Sequence, residues 1–357
     1  MAKTNAAMSV SIPSPLQNQQ GANGYAPIDI KENDILDLSP EILSILLKDH
    51  TTQRNIFWAT DNYSHLGDGY RFSDQITIES ITGENGDVIV PRSLKSRQQQ
   101  QQRSREMAEV FTPSWICNKQ NNLIDNSWFG RENIFNTEID NPDGSHSWIP
   151  TEGKIEFPKG TSWAEYVTEN RMEITCGEAP YLASRYDTVS GEPLPIKMRI
   201  GLLDRKLRVV SENTEKSGEW ISAAKAALRS TYGYEWQGDN LILARENILF
   251  SVLDHYREKF GKKLPKQSLP GLAYIISWNI WQMDGLKGVI PNSCGERTTV
   301  VADLFGETVT VSQCKGCRNG NIREHNGEYA MIADWPKDVG TSQVKHKTPI
   351  RFIDLIK

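Results

Sequence analysis

The chain has 357 residues, 24% of them charged, and a formal net charge of −5 at pH 7. That length allows one large α/β unit with smaller appendages, the charge gives no global basic footprint for nucleic acid, and no apolar run approaches the ~20 residues that span a bilayer. Five cysteines, Cys117, Cys176, Cys294, Cys314 and Cys317, are odd in number and unevenly spread, and no apolar core followed by a cleavage site opens the sequence; free thiols or a metal site in the cytoplasm are expected.

Residues 1–30 are polar and rich in Gln, Asn, Ser and Pro, and are expected to lack structure, because they carry too little apolar surface to offset ordering. Residues 31–105 form an expected N-terminal α+β region. In it, Ser39-Pro40 is a helix start signal, followed by an apolar face of Ile42, Leu43, Ile45, Leu46 and Leu47. "DQITIESI" and "GDVIVPR" are expected as strands. Arg92, Lys95, Arg97, Arg103 and Arg105 then flank a glutamine run. This segment reads either as a solvated linker or as a helical, phosphate-contacting arm.

From about residue 108 strand-like and helix-like segments alternate. "RMEITCG" is a strand entering a turn, "SGEWISAAKAALRSTYGYEW" a helix entering a strand, "GDNLILARENILFSVLDHYREKF" an amphipathic helix, and "GLAYIISWNIWQMDGL" a helix or turn entering a strand. The alternation predicts a mostly parallel sheet covered by helices. "RIGLLDRKLRVVSENT" carries Arg199, Arg205, Lys206 and Arg208, whose charges either face DNA or pair with interior carboxylates such as Asp204. Trp278 and Trp281 are expected to pack, and Cys176 is read as a small turn residue with no His partner to activate it.

A doubly wound sheet binds ligand outside the carboxyl ends of its strands. A glycine after the first strand lets backbone approach the ligand, an acid ending the second accepts ribose hydroxyls, and an Asp ending the third accepts an adenine amino hydrogen. Gly177, Glu235 and Asp284 supply these parts in sequence order, which fits an adenosine-containing cofactor.

Four stretches in this order resemble the adenine-specific DNA methyltransferases of restriction–modification systems, including the restriction endonuclease M subunits. "EVFTP" is similar to their FTP motif, placing Phe111, Thr112 and Pro113 over S-adenosylmethionine. "EITCGEAPYL" resembles "DPACGSGxFL", aligning Glu173, Cys176 and Gly177 with cofactor-loop positions and Ala179 with a glycine. "GYEWQGDNLILAREN" supplies Glu235 as the ribose acid and "NIWQMDGL" Asp284 as the adenine contact. The resemblance covers roughly residues 108–290. It implies a Rossmann-like S-adenosylmethionine-dependent methyltransferase fold with an N-terminal extension and a small Cys-containing insertion. Residues 106–293 would be the cofactor-binding core, 294–328 the insertion, and 329–357 the strands that complete the core. It also implies N6-adenine methylation of DNA and a specificity or restriction subunit as partner. The alternatives are a catalytically degenerate subunit that binds DNA or a partner, and a methyltransferase with another acceptor.

The family's catalytic motif, Asn/Asp/Ser-Pro-Pro-aromatic, has no counterpart, since the chain contains no Pro-Pro pair. Asp140-Asn141-Pro142 contains an Asn-Pro but reads as a turn. Asp334, Trp335 and Pro336, after an apolar strand, offer an acceptor, an aromatic and a proline in permuted order; the substitute catalytic role is set against a strand end with a packed Trp. In the insertion, Cys314 and Cys317 have zinc-knuckle spacing, with Gly316 and Gly320 permitting the turn. Cys294 and His325 would complete a tetrahedral structural zinc site; the other reading is reduced cysteines in a β-hairpin. A thioredoxin-like role is not expected, because the motif is not read as opening a helix after a strand. Lys315, Arg318 and Arg323 beside it either contact phosphates or are solvated.

Overall fold

Three short parallel strands organise the chain. The computed structural model describes residues 29–303, 306–337, 339 and 349–356; the expected tail, through residue 28, lies outside these, as does most of the segment 338–348. In chain order the elements are α1 (Glu32–Leu38), α2 (Pro40–Leu47), α3 (Ile78–Ile81), α4 (Arg97–Glu106), α5 (Ser114–Phe129), β1 (Asn136–Asp140), β2 (His146–Pro150), α6 (Trp163–Thr168), β3 (Arg171–Glu173), α7 (Leu202–Asn213), α8 (Ser217–Arg229), β4 (Thr231–Glu235), α9 (Gly238–Phe260), α10 (Leu269–Asn279), β5 (Ile280–Gln282), β6 (Arg297–Asp303), β7 (Gly306–Ser312), α11 (Lys315–Asn319), β8 (Met331–Ile332) and β9 (Ile350–Arg351). The strands β3, β4 and β5 lie side by side in that order, with Glu173 opposite Gly233 and Glu235 opposite Gln282. The chain is thus a mixed α/β protein with a parallel sheet. No helix among the described residues is long and apolar enough to cross a membrane.

Successive strand residues face opposite sides of a sheet, and β5 shows the consequence. Ile280 belongs to the main core, formed with Trp220, Leu241, Val252 and Leu272 of the helices, whereas Trp281 joins a smaller core with Tyr234, Met283, Ala330 and Ile332. The helix α9 runs 23 residues and is buried along most of its length. Its first residue is glycine because a Cβ there would stand 2.2 Å from the carbonyl oxygen of Phe57. It ends at Gly261, whose φ of 64° suits a residue without a Cβ.

The stretches "DQITIESI" and "GDVIVPR" are not strands. Gln75 makes an isolated bridge to Phe57, and Ile78–Ile81 is a helical turn whose Thr77 and Ser80 cap each other's backbone amides. Ile76, Ile81 and Ile89 are at most 1% exposed and serve as anchors into the main core, so burial overrides their β preference. The glutamine run is helical, begun by the same reciprocal cap between Ser96 and Gln99. Residues 141–145 turn between β1 and β2, as expected for the Asn-Pro dipeptide. The Met331–Ile332 strand pairs antiparallel with β9 and does not join the parallel sheet.

Candidate cofactor pocket and metal centre

The carboxyl ends of β3 and β4 open into a cavity of about 790 Å³ whose walls include Phe111, Thr112, Glu173, Cys176, Gly177 and Glu235. These six residues come from three separated stretches of sequence. The loop after β3 is held by its backbone: Cys176 N–H donates to Tyr234 C=O at 2.8 Å, and Ala179 N–H to Cys176 C=O at 2.7 Å. Thr175, Gly177 and Ala179 all have positive φ, of 46°, 53° and 62°. For the two non-glycines this conformation is strained, and Ala179 stands where the resembled motif has glycine. Gly177 also allows close approach, since a Cβ would sit 3.3 Å from the Phe111 ring.

Glu235 ends β4 and its carboxylate points into the β3 loop, accepting from Gly177 N–H at 2.8 Å and Gln237 N–H at 3.1 Å. Burial raises its pKa, and the backbone amides oppose that rise. Glu173 is more exceptional. Burial pushes its pKa well above the ordinary carboxyl value against the pull of the Tyr181 and Leu182 amides, with Glu235 adding repulsion, and its Oε2 has no hydrogen-bond partner. A buried carboxylate without a counterion is costly, so a cationic ligand group would find a ready partner.

The strap over the cavity, residues 105–112, is anchored by an ion network that local sequence reasoning did not reveal. Arg103 is buried and sits 2.7 Å from both Glu109 Oε2 and Asp239 Oδ2, while Tyr63 O–H donates to Asp239 at 2.8 Å. Glu109 also accepts from Gln237 and Asn240 at 3.0 Å, and its Oε1 is a second buried oxygen without a partner. The glutamine-rich helix is therefore tied down at Arg103, while Arg97 and Arg105 remain exposed. The Glu109 acid next to the FTP tripeptide was the signal available in the sequence.

Other expected site residues are placed differently. Pro113 caps the start of α5, where Ser114 N–H donates to Asp187 at 2.6 Å, and is not in the cavity wall. Asp284 lies two residues past β5, at the cavity's end of the sheet. Its Oδ1 accepts from Leu286 N–H at 3.0 Å and Lys287 N–H at 3.2 Å, and it is not part of the wall. Cys176 is 1% exposed and burial pushes its thiol pKa well up, consistent with a turn residue and not a nucleophile.

Asp334, Trp335 and Pro336 are not brought to the cavity. The indole N–H of Trp335 donates to Asn279 Oδ1 at 2.6 Å, and the amide of Asn279 donates to the carbonyls of Leu228, Arg229 and Thr231. Asn279 directly precedes β5 and Thr231 begins β4, so this group sits at the amino ends of the strands, opposite the cavity. Trp335 is 5% exposed, with the Arg229 guanidinium 6.0 Å from its ring centre, and the expected stacking surface for a flipped base is a core residue.

The basic stretch that leads into α7 and runs along it resolves in favour of pairing within the chain. Arg199 binds Asp254 at 2.7 Å, Arg205 binds Asp125 at 2.6 Å, Arg208 binds Glu212 at 2.8 Å, and Lys206 donates to Ser230 Oγ at 2.7 Å. Asp204, named as a partner for them, instead accepts from His255 at 3.1 Å and from Ser184 N–H at 2.8 Å. Trp278 and Trp281 are packed, at 5% and 2% exposure.

The Cys-containing insertion gathers its four candidate ligands. Cys294 Sγ lies 3.2 Å from Cys314 Sγ and 3.4 Å from Cys317 Sγ, and His325 Nδ1 lies 3.4, 3.5 and 3.6 Å from the three sulfurs. All four ligand atoms fall within 4.8 Å of one another, and the cluster could hold a metal ion. Against expectation, Cys314 caps a short helix, α11, that follows β7. Comparison with family models, with curated proteins and with solved structures finds no match to this chain.

Proposed function

We propose that the chain is an S-adenosylmethionine-binding subunit with a Rossmann-like methyltransferase fold, acting in N6-adenine methylation of DNA. The observation that carries this reading is the cavity at the carboxyl ends of parallel strands, where Phe111, Glu173, Gly177 and Glu235 converge from distant positions. The donor set suits the cofactor: Glu235 for ribose hydroxyls, the unpartnered oxygens of Glu173 and Glu109 for the methionine ammonium, and Phe111 as an apolar wall. Bound there, S-adenosylmethionine would supply a methyl already activated on a sulfonium. The protein's own contribution is alignment.

The position of Asp334, Trp335 and Pro336 at the opposite end of the sheet favours a version in which the adenine acceptor comes from a specificity or restriction partner or from DNA-bound assembly. Met172 on the edge strand β3 and Ile174 just after it, in the cavity wall, are 47% and 62% exposed, which suits such an assembly. The compartment is the cytoplasm, and the cysteine cluster is a structural zinc site.

The test is calorimetric titration of the purified chain with S-adenosylmethionine, alongside Gly177→Val, whose side chain would press on Phe111. Wild-type binding that the variant loses is expected; absence of wild-type binding sinks the reading. Nucleoside mass spectrometry of DNA from cells expressing the chain alone and together with a specificity or restriction subunit then separates stand-alone from partner-dependent methylation.

A further inference from the structure

We propose that Cys294, Cys314, Cys317 and His325 hold one zinc ion whose role is to fix the turn carrying Asp284 at the end of β5. The connection of that turn to the cofactor rests on the function proposed above; its connection to the metal does not.

Zinc bonds of about 2.3 Å to sulfur and 2.0–2.1 Å to nitrogen in a tetrahedron give edges of about 3.8 Å between sulfurs and about 3.6 Å from sulfur to nitrogen. The three nitrogen–sulfur distances, 3.4–3.6 Å, match that figure, and the two sulfur–sulfur distances of 3.2 and 3.4 Å are slightly inside it. All three cysteines are free thiols. The backbone is shaped for the cluster. Asn326 N–H donates to Cys314 Sγ at 3.3 Å, which stabilises a thiolate. A Cβ on Gly316 would stand 2.6 Å from His325 Nδ1, and one on Gly327 would stand 2.9 Å from Cys294 Cβ. Four ligands from the protein close the site, which makes it structural and leaves no open position for a reacting water.

Two chains of contacts run from the cluster to Asp284. From Cys294 the path is backward along the chain. Ser293 Oγ accepts from Glu328 N–H at 3.0 Å, Ile290 N–H donates to Glu328 C=O at 2.7 Å, and Val289 bridges both Tyr329 and Asp284. Asp284 N–H closes the turn on Val289 C=O at 2.8 Å. From His325 the path is through Tyr329, whose hydroxyl accepts from His325 N–H at 2.9 Å and donates to Ile322 C=O at 3.0 Å, while Ala330 N–H donates to Gly288 C=O at 3.1 Å. The segments 288–294 and 325–330 hold each other by these bonds, and at the cluster's end Gly295 N–H donates to Asn326 Oδ1 at 3.2 Å and the Asn326 amide donates to Gly295 C=O at 2.7 Å. The metal would join the same far ends. Without it these last two bonds, both exposed to solvent, stand beside unligated thiols and an imidazole, so fraying from this end toward Asp284 becomes easier.

The test uses the full chain. Zinc is counted by plasma mass spectrometry, then removed with EDTA under reducing conditions, and amide hydrogen exchange is followed across residues 284–290 with and without metal. One zinc per chain is expected, with exchange at Leu286 and Lys287 faster by about tenfold or more after removal, restored by added zinc and not by magnesium. Unchanged exchange in α9 separates this local loosening from global unfolding. Cys317→Ser, at the exposed ligand, should reproduce the loosening without chelator. A chain that neither contains zinc nor takes it up, a disulfide among the three cysteines in the reduced protein, or a turn that exchanges identically with and without metal would each overturn the proposal. Titration with S-adenosylmethionine on the same samples separates the two readings. Weaker binding after zinc removal links the turn to the cofactor. A metal-dependent turn in a chain that binds no cofactor in either state leaves the zinc proposal standing and removes the proposed function.

Discussion

Replacing Glu173 by Gln should move stability and cofactor affinity in opposite directions. The carboxyl is buried, lacks a partner at Oε2, and has a pKa raised by burial well above its ordinary value of 4.5. A folded-state pKa above the unfolded one means that the native chain holds a proton the unfolded chain has released. Stability is therefore lost progressively as pH rises from 4.5 toward the folded pKa. Gln keeps the shape and does not ionise, so the variant should be more stable than wild type at pH 8, with a flatter stability–pH profile. Binding should respond the other way. The cofactor's ammonium would meet an ionised Glu173, and truncating one partner of a buried hydrogen-bonded charge pair costs about 2–5 kcal/mol. The cavity is open to water, which places the loss near the lower end, roughly thirtyfold in affinity. Wild-type affinity should also strengthen as pH rises from 5 to about 7, below the range in which the ligand's own α-ammonium loses its proton, because ligand binding draws Glu173 into its ionised form. The assays are urea unfolding from pH 5 to 9 and calorimetric titration from pH 5 to about 7. Undiminished affinity in Glu173→Gln, or wild-type affinity that weakens as pH rises through that lower window, would falsify the assignment of Glu173 to a cationic group.

Two further outcomes follow from groups remote from the pocket. Glu246 on α9 is buried with neither carboxylate oxygen partnered, and it faces Glu32, whose pKa burial pushes up to about 8. Glu246→Gln should stabilise the chain by roughly 1–3 kcal/mol at pH 8 and by much less at pH 4, since each pKa unit is worth about 1.4 kcal/mol and water penetration recovers part of it; equal unfolding midpoints at both pH values would refute this. Trp335→Ala should cost about 3–5 kcal/mol, from the lost core volume and the unpaired Asn279 oxygen. It should leave cofactor affinity of the folded protein unchanged, and a selective loss of binding at unchanged stability would return Trp335 to the site.

Regular elements with local signals were legible from the amino acids alone. The apolar period marks α9, and the helix-to-strand passages were read in their right order, with the strand expected to end at Asp284 ending two residues earlier, at Gln282. Order along the chain picked out Gly177 and Glu235, because a parallel sheet places its loops at one end and sequence order then maps onto one cavity, while Phe111 and Glu173 were picked out only by the resemblance. The CxxC spacing with Cys294 and His325 was legible for a similar reason: short-range ligand geometry is written in spacing. What the tertiary structure alone decided was where charge and aromatic side chains go. Arg205 finds Asp125 eighty residues away, and Arg103 finds Asp239 across the strap. No local pattern distinguishes such buried pairs from a basic surface. "DQITIESI" looked like a strand because burial and β preference favour the same residue types. Asp334 and Trp335 looked like a site because a short string carries no information about which end of a sheet it reaches. That depends on the path of the chain after β5, which the Trp335–Asn279 bond fixes at the amino ends of the strands.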